Sequence, residues 1–279
     1  MSSPGAGDND LLVRSRSGLL DALEALRDHR DSVIVIGAQA IYIRTAAAPV
    51  ALAEATKDSD LALDPNLLGD DPLIEEAMAA AGFSQNLDQG QPGSWISPHG
   101  IPIDLMVPQR GTDGGLRNPR GARLPPHDRR AMRRARGLEA AVVDNDVMPV
   151  ASLKPEDDRI YDIRVAGAAA LLVAKLHKIS ERATGSTHRL VDKDAHDCYR
   201  ILVDTQTGFL AAKFRELLKT EMSADVAREA LVQARELFAE GPDALGSMMA
   251  GRAEEGIGEP TTVSLQTSIL ARDLVDAVA

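Results

Sequence analysis

The spacing of apolar residues gives the chain two textures. Leu19, Leu20, Leu23 and Leu26 recur at helical spacing, which predicts a helix that Ser17 caps after a disordered lead. Val33, Ile34, Val35 and Ile36 then form an unbroken apolar run closed by Gly37, the pattern of a buried central strand. A helix from Ala38 to about Arg44 follows. The segment from Asp58 to Leu63 alternates polar and apolar, Asp70 and Pro72 open another helix through Leu73, Ile74 and Met78, and Ile101 to Val107 reads as a further short strand. Residues 109–138 are rich in Gly, Pro and Arg and carry no apolar period, so they read as a long loop. A strand returns at Arg159 to Val165, and from Ala168 onward the pattern is helical, with Ser223 capping a helix that Gly241 and Pro242 stop. The expected fold class is therefore α/β with a mixed sheet, followed by a C-terminal helical bundle, with domains at 1–165 and 166–279.

Composition narrows the function classes. With 44% hydrophobic and 26% charged residues, the 279-residue chain is globular in make-up. A net charge of −11 argues against a protein that coats nucleic acid through uniform basic charge. Residues 117–136 depart from that average: eight arginines face the single acid Asp128, a local charge of +7 that leaves −18 for the remainder. Such a patch, with Arg129, Arg130, Arg133 and Arg134 at its centre, fits an electrostatic footprint for RNA. A solvated or internally paired loop, or a surface for an acidic partner, is the alternative. The single cysteine, Cys198, excludes an internal disulfide and a thiolate-cluster zinc site. The first residues lack a basic and an apolar segment and no long apolar run occurs elsewhere, so a cytoplasmic protein without a membrane partner is expected.

Two clusters carry candidate chemistry. Asp58 and Asp60 lie two apart on an expected strand, which puts both carboxylates on one face with Cα atoms roughly 6.5 Å apart. That spacing can grip a divalent cation, and Asp104, the acid within the apolar IPIDLMVP stretch, can supply a third carboxylate or pair with an arginine. Gly37 and Ala38 form a strand-to-helix turn whose backbone N–H groups could meet phosphate oxygens.

In the second cluster, about 100° per residue places Leu171, Leu172, Leu176 and Ile179 on one helix face with Lys175 among them. Lys178 and Arg182 flank that face, whereas His177 lands opposite, toward solvent. The next helix, beginning near Leu190, sets Asp194 and Asp197 within or beside its own apolar face. Buried charges of opposite sign on consecutive helices fit either a working site or a structural network joining Lys175 to Asp197 or Asp194 to Arg182.

Together the stretches VIVIGAQAIYIR (33–44), ATKDSDLAL (55–63), the strand around Asp104, LLVAKLHKISER (171–182) and VDKDAHDCYRIL (191–202) resemble AbiEii-type nucleotidyltransferases, the toxin side of abortive-infection systems, and the related MenT-type toxins. The resemblance implies a polymerase-β-like core over 1–165 in which Asp58 and Asp60 hold Mg²⁺, or Mn²⁺ in its place, with Asp104 a weaker third ligand. It implies that Lys175 holds the nucleoside triphosphate and that Asp197 is an acid needed for activity, with Lys193 and Asp194 beside it; with Lys178 and Arg182 these are the further candidate nucleotide-binding residues. The implied reaction is transfer of a nucleoside monophosphate to an RNA acceptor, tRNA first, by a toxin with a cognate antitoxin. Gly37-Ala38 departs from the Gly-Ser or Gly-Gly turn common in the wider superfamily, so a side-chain hydroxyl contact to phosphate is missing. The alternatives are a catalytically silent binding module and a nucleotidyltransferase that modifies an antibiotic.

Overall fold

The computed structural model describes residues 6–46, 48, 50, 57–86, 90–114, 120–185 and 190–279. Two compact units emerge: Met1–Ala40 with Ala55–Ala166, and Ile41–Glu54 with Gly167–Ala279.

The first unit is built on a mixed sheet. Helix α1 (Ala6–Ala25) precedes strand β1 (Val33–Ile36), helix α2 (Gly37–Arg44) follows directly, and β2 (Ser59–Leu63) returns antiparallel to β1. After α3 (Ile74–Ala80) come β3 (Ser84–Gln85), β4 (Ser94–Ile96), β5 (Pro102–Pro108), β6 (Asp113–Gly114), β7 (Ala122–Arg123) and β8 (Arg133–Ala135). Helix α4 (Glu139–Val143) leads into the antiparallel pair β9 (Asn145–Ala151) and β10 (Ile160–Ala166). The sheet runs β3-β4-β5-β2-β1-β10-β9, with β8 pairing β5 in addition. All four residues of β1 are buried between β2 and β10, as a run of Val and Ile without alternation requires. Each such side chain contributes about 1.5–3 kcal/mol through burial, so this strand anchors the sheet and fixes where Gly37 must turn.

The second unit is helical: α5 (Ala168–Gly185), α6 (Asp192–Asp204), α7 (Thr207–Lys219), α8 (Ala224–Ala234), α9 (Leu245–Arg252) and α10 (Pro260–Val278). Helix α5 packs on α6 and α8, and α10 packs on α7 and α9. Phe214, Phe238, Leu172, Leu176 and Leu274 fill the interior. The architecture is thus the mixed α/β layer with C-terminal helices that the apolar pattern predicts. No helix among the described residues is long and apolar enough to cross a membrane.

Several local expectations are corrected. Helix α1 starts well before Ser17, whose hydroxyl donates to the Val13 carbonyl (3.0 Å) instead of capping. Ser223 stands at the start of α8, but its hydroxyl donates back to the Leu217 carbonyl (2.8 Å). His177 is buried, because α8 closes over the side of α5 that a lone helical wheel leaves to water, and its Nε2 bonds the Val226 carbonyl (3.0 Å). The stretch 109–138 is no structureless loop in its described part: β6 to β8 run through it and Ala122, Ala131, Met132 and Leu138 are buried.

Candidate functional site

In the first unit the sheet register decides which acids meet. Asp60 on β2 pairs with Ile36 on β1 and, across the other edge, with Asp104 on β5. Directly paired residues share a face, and neighbouring strands lie about 4.8 Å apart, so the two carboxylates stand side by side. Ser94 of β4 continues the row. Asp58 lies one residue ahead of β2 and is exposed, so the alternation that places Asp60 does not place Asp58.

Gly37 is held to glycine twice over. Its φ of 65° lies in the left-handed region, and a Cβ there would collide with the Asp60 carboxylate. The missing Cβ at the turn that begins α2 therefore lets the Asp60 carboxylate approach the backbone, a second demand for glycine beyond the strand-to-helix turn itself. Ala38, next along, is buried.

Asp104 has a partner. Arg133 donates from Nη2 to its Oδ2 at 2.6 Å, with both side chains about three-quarters buried (25% and 22% exposed). The register explains the pair, since β8 runs parallel to β5 with Arg133 opposite Met106, two residues along the same face as Asp104. Of the two alternatives open for Asp104, the structure shows the arginine-paired one.

This also sorts the arginine patch. Arg133 is an interior partner, and Arg130 spans to Gln85 (Nε to Oε1, 3.3 Å). Arg134 reaches the Gln109 carbonyl at 3.1 Å, and Arg123 and Arg129 are exposed. Arg117 lies outside the described residues. The four arginines taken as the centre of an RNA footprint are thus not equivalent: Arg129 is exposed, as are Arg120, Arg123 and Arg136 around it, whereas Arg133 is an interior partner.

The oxygen donors of Asp58 and Asp60 suit a hard divalent cation, which commonly takes one or two carboxylates and completes its shell with phosphate and water. Asp60, poised over a position without a Cβ, fits that role. Arg133 holds Asp104 through Oδ2, which leaves Oδ1 as its oxygen toward Asp60, and among the described residues no three His, Cys, Asp or Glu side chains come together as a ready-made metal cage.

The second unit brings the other cluster together as a network. Lys175 Nζ donates to Asp194 Oδ1 and to Asp197 Oδ2, both at 2.7 Å. Asp194 also accepts from Lys178 (2.9 Å) and from Arg182 (2.7 Å), and Asp197 accepts from Lys193 (3.3 Å). Both pairings that would make a structural network, Lys175 with Asp197 and Asp194 with Arg182, are present.

The electrostatics follow from burial. Desolvation opposes the charge on Lys175, but attraction to Asp194 and Asp197 outweighs it and holds the ammonium well above its ordinary value. Burial likewise penalises the Asp194 and Asp197 carboxylates, yet Lys175 and its neighbours keep both below the usual range. Among these six side chains four cations face two carboxylates, so the cluster carries an excess of positive charge.

Sequence reasoning missed two members of this surround. Tyr42 lies under the Lys193 ammonium, 5.3 Å from ring centroid to Nζ. Arg200 is buried and donates to Thr45 Oγ1 (2.6 Å), to the Thr45 carbonyl (2.6 Å) and to the Val50 carbonyl (2.7 Å). The available signal was the spacing of Asp197 and Arg200, three residues apart on one helix.

No family model matches the chain, and no curated protein matches it. A crystal structure of a "putative nucleotidyltransferase from H. pylori" aligns over 99% of this chain and 97% of that one, at 10% identity and a TM-score of 0.34. So distant a likeness carries no argument about site or substrate.

Proposed function

We propose that the protein is a nucleotidyltransferase of the EC 2.7.7 type, dependent on Mg²⁺ or Mn²⁺, that transfers a nucleoside monophosphate from an NTP to an RNA hydroxyl. The observation that carries the reading is Asp60, held by register beside Asp104 and brought against the glycine turn at Gly37. The motif resemblance in the same stretches supports it.

In this reading a hydroxyl of the acceptor attacks the α-phosphorus, the bond to the β-phosphate oxygen breaks, pyrophosphate leaves and the hydroxyl proton passes to solvent. Asp58 and Asp60 would hold the ion, which when bound lowers the charge barrier at the triphosphate. Gly37 and Ala38 present backbone rather than a hydroxyl at the start of α2, where unpaired N–H groups favour phosphate oxygens. In the second unit, the positive excess formed by Lys175, Lys178, Arg182 and Lys193 favours a polyphosphate, with Asp194 and Asp197 fixing where those ammonium and guanidinium groups sit. Exposed arginines of the 120–136 stretch would position an RNA strand, tRNA being the first acceptor to try. The toxin role and an antitoxin partner come from the resemblance alone.

A silent binding module is the second reading, favoured by the internal ion pairs that Lys175 and Asp104 already make. Pyrophosphate release separates the two. Full chain is mixed with Mg²⁺, each of the four NTPs and total RNA, beside Asp58→Ala and Asp60→Ala. A transferase releases pyrophosphate with one or more NTPs and loses it in both variants. Release that survives Asp60→Ala contradicts the assignment, and an antibiotic in place of RNA tests the small-molecule alternative.

A further inference from the structure

Helix α1 carries a cation where its apolar face should continue. Arg16 shares helical spacing with Leu19, Leu20 and Leu23, and it is 94% buried, with 6% of its surface exposed. Its Nε donates to the Gln39 Oε1 at 2.8 Å and its Nη1 to the Ala151 carbonyl at 3.1 Å. Both acceptors are neutral. Among the described residues no carboxylate pairs with it, and burial alone pulls the guanidinium down to about 10.

A buried charge without a counter-charge is costly, and a fold carries one where something else supplies the opposite sign. The position of Arg16 says what. Gln39 lies in the first turn of α2, two residues past Gly37, and its Nε2 donates to Ser15 Oγ at 2.7 Å. Ser59, between Asp58 and Asp60, donates from Oγ to the Ser15 carbonyl at 2.9 Å. One turn of α1 is therefore tied both to the start of α2 and to the acidic strand, and Arg16 is locked onto that turn by Gln39.

We propose that Arg16 is an anion contact for the polyphosphate of the nucleotide at the first turn of α2. The planar fork has two nitrogens fixed by neutral acceptors, which leaves the Nη2 amino group to a phosphate oxygen and pre-orients it at little entropic cost. The start of α2 contributes the same sign of potential. The inference rests on the nucleotidyltransferase reading for the identity of the ligand, but the contact with phosphate is separable from it.

The test is titration calorimetry of the full chain with tripolyphosphate, without divalent cation, together with thermal unfolding of the ligand-free protein. Arg16→Gln should weaken tripolyphosphate by about tenfold or more, as loss of a charge-assisted contact does. Arg16→Lys should fall between, and Gln39→Glu, which supplies an internal counter-charge while Arg16 stays in place, should weaken it as well. Ligand-free Arg16→Gln should unfold at the same temperature or higher, since an uncompensated charge is removed. The proposal is overturned if wild type does not bind tripolyphosphate, or if Arg16→Gln lowers the unfolding temperature while affinity is unchanged. Should Arg16→Gln not fold, unchanged affinity in Gln39→Glu overturns it equally. Binding lost on Arg16 substitution, in a protein that releases no pyrophosphate from any NTP, keeps the anion contact and discards the transferase.

Discussion

Asp194→Asn is the sharpest probe of the buried network, because it removes one charge and leaves the shape. Asp194 accepts from Lys175, Lys178 and Arg182 at 2.7, 2.9 and 2.7 Å. Lys178 and Arg182 have side chains 43% and 22% exposed and can turn to water, so their share of the loss is small. Lys175 is 8% exposed and cannot, and it is left with Asp197 alone. Breaking a buried pair by removing one partner costs about 3–5 kcal/mol; with one carboxylate retained, about 2–3 kcal/mol is expected. Urea unfolding at pH 7 measures the difference. The pH dependence carries a fixed sign. The Asp194 carboxyl is held below its ordinary value in the fold, so its contribution is full above roughly pH 4, the unfolded carboxylate value, and is lost as pH falls through the lower folded value. The gap between wild type and Asp194→Asn should therefore narrow on acidification below that point. Adding Lys175→Met should recover part of the loss, a coupling of about 1–3 kcal/mol. A gap under about 0.5 kcal/mol at pH 7, or one that widens in acid, would refute the reasoning.

Other expectations follow from single residues. Gly37→Ala must relieve both a left-handed φ and a collision with the Asp60 carboxylate, so it should destabilise by about 1–3 kcal/mol in thermal unfolding and abolish pyrophosphate release. Arg133→Ala leaves the Asp104 carboxylate without its arginine and should lower the unfolding temperature, whereas Arg123→Ala with Arg129→Ala should leave it unchanged and flatten the salt dependence of RNA binding. An equal salt slope in that double variant sinks the footprint. Cys198 is buried and its thiol is pushed well above the ordinary range by desolvation, so a thiol reagent should label it only as the second unit unfolds.

What could be read in advance depended on whether one element or several set a residue's environment. The run from Val33 to Ile36 announces a buried strand because burial on both faces needs no partner's identity. Lys175 announces itself because its own helix supplies the apolar neighbours. His177 could not, since its burial comes from α8, nearly fifty residues later in the chain. Strands of two or three residues such as β6, β7 and β8 have no period to detect, and so the sequence of 109–138 gives no sign of them. The meeting of Asp60 with Asp104 is a matter of register between β2 and β5, which local pattern does not encode, and the Asp104–Arg133 pair adds a third strand to that dependence. Arg16 was legible by the rule that exposed Lys175, a charge at helical spacing with leucines; the assumption that Ser17 began the helix hid it.

The measurement that bears most directly on the account places the label in two positions of the same nucleotide. Full chain, Mg²⁺ and total RNA are incubated with α-labelled and, separately, γ-labelled NTP, beside Asp60→Ala. Displacement at the α-phosphorus predicts α-label in a tRNA-sized band, γ-label only in released pyrophosphate, and neither signal in the variant. Label transferred from the γ-position, or an RNA band still labelled in Asp60→Ala, would contradict it.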